Sequence, residues 1–380
     1  MLVAVAGGNL QGVEVAYLAR KAGWEVLVLD RRADAPASGL CDRFVQLDLR
    51  RETALRALLN GVDLLIPALE NDAGLAALER CARRAGIPLA FDMQAYAISS
   101  SKIKSDNLFA SSGIPAPAAW PDCTLPVIVK PSRASGSSGV RIFSDHEALD
   151  AFLGGTEGEW VAQAFVDGPT HSLEVAGGPG NYRAFQITDL FMDDIFDCRA
   201  VSAPSRLPAD MASRFQALSL DIARLVGLRG LMDIEVVQDH GELRVLEIDA
   251  RFPSQTPTAV YHSTGCNLLE ALAALFLDDT VSGELPGGDH RGVVYEHIRV
   301  SGNTLAFAGE HVMTHAGPLH VEKGFYGADE ALTNRRTGGD NWVATLIVTG
   351  KNRRKAVERR NCVLAAIRHS LGLTGRSAPI

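Results

Sequence analysis

Apolar residues run unbroken through Leu2-Val-Ala-Val-Ala6, stop at Gly7-Gly-Asn-Leu-Gln-Gly12, and return with helical spacing through Arg20. A second run, Glu25-Val-Leu-Val-Leu29, ends at Asp30. A third, Asp63-Leu-Leu-Ile-Pro67, leads into Glu70-Asn-Asp72 and a helix closing at Gly86. Short segments that are apolar at every position suit strands buried on both faces. Alternating with helices, they predict a right-handed βαβ unit of the doubly wound parallel type. Ligands of such sheets sit beyond the carboxyl ends of the strands, which makes the turn from Gly8 through Leu10 and Gln11, together with Glu70, a candidate site.

The pattern changes after residue 98. A helix is predicted from Ser99-Ser-Ser-Lys-Ile-Lys-Ser105 to Gly113, followed by the extended connector Ile114-Pro-Ala-Pro-Ala118. Then come a strand Pro126-Val-Ile-Val-Lys-Pro131, a Gly/Ser stretch from Ser132 to Gly139, and a strand Val140–Phe143. A Gly/Ser loop between two strands offers backbone N–H groups and hydroxyls to phosphate oxygens. It lacks the Gly-Lys-Ser/Thr ending of a P-loop. Further strands are predicted at Trp160–Val166, leaving through Asp167-Gly168, and at Ser172–Val175. A long helix is expected over Ala209–Val226, another near Asn267–Phe276, strands near Val293–Ile298 and Trp342–Val348, and a closing helix. The expected units are 1–98, 99–183 and 184–380.

One segment concentrates the chemistry. Leu231-Met-Asp-Ile-Glu-Val-Val237 and Leu243-Arg-Val-Leu-Glu-Ile-Asp-Ala-Arg-Phe-Pro253 read as apolar strands joined by the turn residues Asp239-His-Gly-Glu242. Paired as a hairpin, with side chains alternating between faces, they bring Glu235, Glu247 and Asp249 onto one face, with Arg251 two residues on. Buried carboxylates need compensating cations. Carboxylate and phosphate oxygens are the ligands Mg²⁺ prefers, so the hairpin predicts the floor of a nucleotide–metal site.

Composition narrows the classes. A length of 380 residues exceeds one small core. The formal charge of −8, with no basic stripe, argues against nucleic acid as a partner. The one dense basic run, Lys351–Arg360, sits in a helical pattern and is expected to be a solvated face. Six scattered cysteines without CxxC spacing fit a reducing compartment rather than a zinc site or disulfide framework. No apolar run reaches membrane-spanning length, so a cytoplasmic protein without a membrane partner is expected.

The order of these pieces resembles the ATP-grasp carboxylate–amine ligases. The likeness rests on Ser-Lys102 before a helix leading to Gly-Ile-Pro115, Val-Ile-Val-Lys130-Pro, Gly136-Ser-Ser-Gly139, Glu235, and Glu247-Ile-Asp249-Ala-Arg251. It implies an α/β protein of ATP-grasp fold, with a Rossmann-like N-terminal domain and a nucleotide held between two α+β subdomains. It further implies that Lys102 and Lys130 neutralise ATP phosphates, and that Ser137 and Ser138 cover them. Gln163 with the backbone of Ala164 and Val166 would hold adenine, and Glu235, Glu247 and Asp249 two Mg²⁺ ions. Arg199 and Arg251 would stabilise the migrating phosphoryl group. The chain departs from many of these ligases in having Asp249 where they have Asn, and in lacking an acid near Thr170 for the ribose.

Less generic stretches resemble the ligases of pyrrolysine biosynthesis: Val5–Leu18, Asp197-Cys-Arg-Ala-Val-Ser-Ala-Pro204, Glu247–Pro257 and Gly324–Glu330. This likeness implies small-molecule substrates, an ornithine or 3-methylornithine carboxylate activated by ATP and then captured by the ε-amine of lysine, and a homodimer. A diamino acid carries two ammonium groups, so its pocket should hold acids. Glu70, Glu174 and Asp233 are the expected ones, with Ser172 beside them and Leu10 and Gln11 at the N-terminal turn. His262, His297 and Asp329 are expected to be structural. Two other readings fit parts of the sequence: an ATP-grasp ligase of the D-alanine–D-alanine type, and a nicotinamide oxidoreductase built on the N-terminal βαβ unit. The second is weakened by glycines at 7, 8 and 12, which spoil the dinucleotide pattern.

Overall fold

The protein is described here from a computed structural model covering residues 1–134, 136–281, 290–373 and 379–380. Ser135 of the Gly/Ser stretch lies outside the described residues. The N-terminal unit is a four-stranded parallel sheet ordered Arg43–Gln46, Glu25–Asp30, Leu2–Ala6, Leu64–Pro67. Its uninterrupted apolar strands have the predicted cause. Val3, Val5, Val26 and Val28 fill one core, and Ala4, Ala6, Leu27 and Leu29 fill another on the opposite face. Helix Asp72–Ala85 ends in a left-handed Gly86, as its sequence predicts.

The middle unit is a three-stranded antiparallel sheet, Arg141–Phe143, Val127–Pro131, Trp160–Ala164. The remaining strands form one large sheet whose main path is Glu242–Asp249, Gly230–Asp239, Thr170–Gly178, Thr188–Met192, Cys198–Ala203, Gly292–Ser301, Asn341–Gly350, Glu330–Thr333, His320–Lys323. One face of it packs on helix Ala209–Val226 through Leu173, Val175, Ile234, Val236 and Phe215. The other face meets helices Thr256–Thr264 and Leu268–Leu277 and, through them, helix Leu10–Lys21 of the N-terminal unit. The expected division at 183 does not match the strand pairing. Strand Thr170–Gly178 bonds along its length to Gly230–Asp239, so the middle unit's sheet ends at Ala164 and the large sheet begins at Thr170.

The basic run near the C-terminus is a second correction. Lys351, Arg354 and Lys355 are exposed as expected, but the opposite side of helix Arg353–Leu371 covers strands Gly292–Ser301 and Asn341–Gly350. Arg360 is only 2% exposed and forks onto Glu296, Nε to Oε2 at 2.6 Å and Nη2 to Oε1 at 2.5 Å. A buried guanidinium is tolerable in such a bidentate pair. Arg359 binds Asp329 and Arg353 binds Asp189, tying the helix to the sheet. Of the three residues expected to be structural, His262 meets the Tyr17 hydroxyl at 2.7 Å, His297 meets Thr345 at 2.8 Å, and Asp329 pairs with Arg359. Among the described residues, no helix is long and apolar enough to cross a membrane.

Candidate active site

The hairpin Gly230–Asp239/Glu242–Asp249 pairs Glu235 with Glu247 and Asp233 with Asp249. The next strand continues both rows, setting Ser172 against Glu235 and Glu174 against Asp233. Cross-strand partners share a face, so register alone assembles two adjacent rows: Ser172–Glu235–Glu247 and Glu174–Asp233–Asp249. Like charges placed directly opposite are destabilising unless something compensates them.

Part of the compensation is cationic. Lys102 is the first residue of helix Lys102–Ser112, whose start is capped by Ser101. That placement sends its Nζ to Glu247 Oε2 at 3.0 Å and to the Ala134 carbonyl at 2.9 Å. Arg251 Nη2 lies 2.8 Å from Asp249 Oδ2, and its Nε lies 3.0 Å from Glu70 Oε1. Glu70 also accepts a hydrogen bond from Gln11 Nε2 at 2.7 Å, so the expected N-terminal candidates converge on Arg251. Leu10 packs its side chain against the core beside them.

The protonation balance shows a cation deficit. Burial, with neighbouring acids adding to it, raises Glu235 well above the ordinary carboxylate range and Asp249 to about 7. Burial raises Asp233 to about 6, against the Ser172 hydrogen bond of 2.5 Å to its Oδ1, and raises Glu174 to about 8 with help from Asp233. Glu247 alone is held low, because Lys102 and Lys130 outweigh its burial. Burial would depress both lysines; Lys102 nevertheless ends up raised by the acids around it, while Lys130 ends up lowered. Carboxylates in such excess fit a divalent cation. Glu235, Glu247 and Asp249 are the residues that would hold it, as oxygen ligands of the kind Mg²⁺ takes. A tighter group lies elsewhere, with ligand atoms of Asp193, Asp197 and His311 within 4.8 Å of one another. Both Asp193 oxygens accept from backbone, the N–H groups of Ile195, Asp197 and Gly309, and Asp197 Oδ2 meets the N–H and ring of His311. It locks a turn.

A cavity of about 660 Å³ lies over the rows, between the middle unit and the large sheet. Lys102, Lys130, Ser137, Ser138, Gln163, Ala164, Val166, Asp233, Glu235, Glu247, Asp249 and Arg251 all border it. That volume and its position between two units suit a nucleotide-sized ligand. Three details differ from expectation. The Ala164 N–H already donates to the Ala118 carbonyl at 2.8 Å, so only its other backbone group is free to meet a base. Ser137, at φ 55°, turns its hydroxyl onto the Phe196 carbonyl at 2.5 Å, so the flap is fastened to the 193–197 turn. Arg199 borders the cavity but is drawn away from the acid rows by Glu296, at 3.2 Å, and by the Pro379 carbonyl, at 2.5 Å. Its competing partner comes 97 residues later in the chain, which no local pattern reveals.

Glu174, fully buried one strand beyond Asp233, has both carboxylate oxygens without a protein hydrogen-bond partner among the described residues. Thr188, Thr256 and Glu310 were not anticipated. Thr188 reaches the acid face only because it pairs with Ser172, and Glu310 accepts hydrogen bonds from Ser254 and Gln255. Thr256 did fall within the distinctive run Glu247–Pro257, the one signal that could have flagged it. The dinucleotide reading fails on geometry. Asp30, where such folds place their ribose-binding acid, accepts the Gly8 N–H at 2.7 Å and the Arg32 N–H at 2.7 Å, so both the turn and the acid are occupied by each other.

An ATP-grasp domain model matches residues 99–255. The chain is 35% identical over 375 residues to the 3-methyl-D-ornithine–L-lysine ligase of Methanosarcina mazei, covering 97% of this chain and 96% of that protein. The enzyme of the same name from Methanosarcina barkeri is 34% identical, with 97% and 98% covered. Among solved structures, an ADP complex of N5-carboxyaminoimidazole ribonucleotide synthetase superposes with a TM-score of 0.71 at 14% identity, covering 97% of each chain. Biotin carboxylase from Campylobacter jejuni superposes at 0.72 and 15% identity, covering 96% of this chain and 91% of that one. At such identities the two structures speak for the fold, while the Methanosarcina relatives speak for the family. The chain belongs to the ATP-grasp ligases, in the group of the 3-methyl-D-ornithine–L-lysine ligases.

Proposed function

We propose that this chain uses ATP to activate the carboxylate of 3-methyl-D-ornithine, or of D-ornithine, as an acyl phosphate, and that the ε-amine of L-lysine then displaces phosphate to form an amide. The observation that supports it most is the pair of acid rows facing Lys102, Lys130 and Arg251 at one cavity, continued by the buried Glu174.

In this reading Lys130 and Lys102 hold the phosphates, and Ser137, Ser138 and the amides of their loop close over them. Gln163 and the backbone at Ala164 and Val166 border the base. Glu235, Glu247 and Asp249 would hold two Mg²⁺ ions, which when bound offset the charge of the phosphate oxygens. We assign Arg251, beside Asp249 and Glu70, to the meeting of the substrate carboxylate and the γ-phosphate. Its planar guanidinium can pair with that carboxylate and steady the charge on the transferred group. We give this role to Arg251 and not to Arg199, which Glu296 engages. The incoming lysine meets Gln11 and Glu70 beside Leu10, on the N-terminal side of Arg251. Its ammonium must lose a proton before attack, and Glu70, in contact with Arg251, is placed to accept it.

The test is the mass of the product. With ATP, Mg²⁺, L-lysine and D-ornithine or its 3-methyl form, the expected product weighs one water less than the two amino acids together and appears with ADP. ADP formed only with D-alanine, or with neither diamino acid, would refute the substrate assignment.

A further inference from the structure

The chain from Arg251 to helix Thr256–Thr264 turns through Gln255, a non-glycine residue at φ 72° and ψ −59°. A side chain in that left-handed region is costly, and such residues persist only where their surroundings over-determine them, often at functional sites. Two acids from distant parts of the chain hold this turn. Glu14, on helix Leu10–Lys21 of the N-terminal unit, accepts the Thr258 N–H at 2.6 Å on the helix side. Glu310 accepts, on one oxygen, the Ser254 hydroxyl at 2.7 Å and Gln255 Nε2 at 2.8 Å. Gln255 is only 4% exposed, and both it and Glu310 border the cavity. From this geometry, and resting on the ligase reading above, we infer that Glu310 is a positioning residue: it fixes the strained turn that follows Arg251 and sets the Gln255 amide with its carbonyl oxygen left for an N–H of a bound amino acid.

The orientation of the amide follows from its neighbours. A carboxylate and a backbone carbonyl only accept, and Nε2 meets one of each, Glu310 and, at 3.3 Å, the Cys198 carbonyl. The amide cannot turn over without losing both. Its other arm, Oε1, is buried and has no protein hydrogen-bond partner among the described residues. Buried acceptors are nearly always paired, and each amino acid of this reaction brings N–H groups. Glu310 is itself held in place. Three consecutive N–H groups pin its backbone to one turn: Gly309 to Asp193 Oδ2 at 2.9 Å, Glu310 to the Cys198 carbonyl at 3.1 Å, and His311 to Asp197 Oδ2 at 3.0 Å. A Cβ on Gly309 would overlap the Asp197 carboxyl, so the close approach needs a glycine. The Asp193–Asp197–His311 group thus fixes the point from which Glu310 reaches Ser254 and Gln255.

The test compares full-length wild type with Glu310→Gln, Gln255→Glu, the reversed pair Gln255→Glu/Glu310→Gln, and Gly309→Ala, measuring ADP release while ATP, D-ornithine and L-lysine are varied in turn. Glu310→Gln should raise the KM for one amino acid tenfold or more while the KM for ATP stays within twofold; the amino acid affected is the one whose N–H meets Gln255. Gly309→Ala, which displaces Glu310 without altering its charge, should shift the same KM. Gln255→Glu sets two carboxylates against each other and should lose about a hundredfold in kcat/KM. The reversed pair restores a donor opposite an acceptor and should recover at least tenfold of that loss, the coupling a double-mutant cycle isolates. Thermal unfolding keeps a folding defect separate; if Glu310→Gln does not fold, the reversed pair measured against Gln255→Glu decides. A folded Glu310→Gln with both amino-acid KM values unchanged overturns the assignment, as does an equal rise in the KM for ATP or a reversed pair no better than Gln255→Glu. If the wild type makes no amide from D-ornithine and L-lysine, the ligase reading itself has failed, an outcome distinct from normal wild-type turnover with unaffected variants.

Discussion

Glu247→Gln is expected to lower ATP turnover by about a thousandfold while leaving the protein folded. The substitution keeps the shape of the side chain and removes its charge. Glu247 is the acid of the two rows held ionised by its surroundings, because Lys102 at 3.0 Å and Lys130 outweigh its burial. An amide there takes away an anionic oxygen ligand and leaves Lys102 facing a neutral group. Removal of a single electrostatic group aimed at developing charge costs a factor of about 10² to 10³ in rate, and a metal ligand that also anchors a phosphate-binding lysine sits at the upper end of that range. Steady-state ADP release at saturating Mg²⁺ checks it. Turnover within tenfold of wild type would remove Glu247 from the metal set.

Arg251→Lys is expected to lower kcat by about a hundredfold with the KM for ATP little changed. Arg251 bridges two units, binding Asp249 of the large sheet at 2.8 Å and Glu70 of the N-terminal unit at 3.0 Å. A lysine keeps one charge but cannot hold both acids and a substrate carboxylate with a rigid planar fork. A loss that appears in kcat and kcat/KM alike marks an interaction made chiefly in the transition state. If kcat is preserved while the KM for the amino acid alone rises, Arg251 binds the ground state and the role assigned to it is wrong.

Some of this was legible in the sequence, for identifiable reasons. The strands Leu2–Ala6 and Glu25–Asp30 announce themselves because their apolar residues meet a core on one side or the other. The acid hairpin is readable because its turn and its alternation are local, and the register falls as the alternation requires, Glu235 opposite Glu247. The second row is only partly readable: Asp233 meets Asp249 within the hairpin, but Glu174 joins through pairing of strands about sixty residues apart. Thr188 carries no motif, and only its pairing with Ser172 brings it to the acid face. Arg199 and Arg360 share a partner that no local pattern reveals. Both are engaged by Glu296, buried in strand Gly292–Ser301. Local composition marks Lys351–Arg360 as exposed, but the large sheet needs a cover on that face, and the bidentate pair lets a charged helix supply it.

The most direct test of an ATP-activated carboxylate uses D-ornithine labelled with ¹⁸O in both carboxyl oxygens, incubated with ATP, Mg²⁺, L-lysine and the enzyme. An acyl phosphate formed over the acid rows predicts one ¹⁸O in the released inorganic phosphate, one in the amide, and ADP as the nucleotide product. Label appearing in AMP, or phosphate released without label while amide forms, would contradict the account.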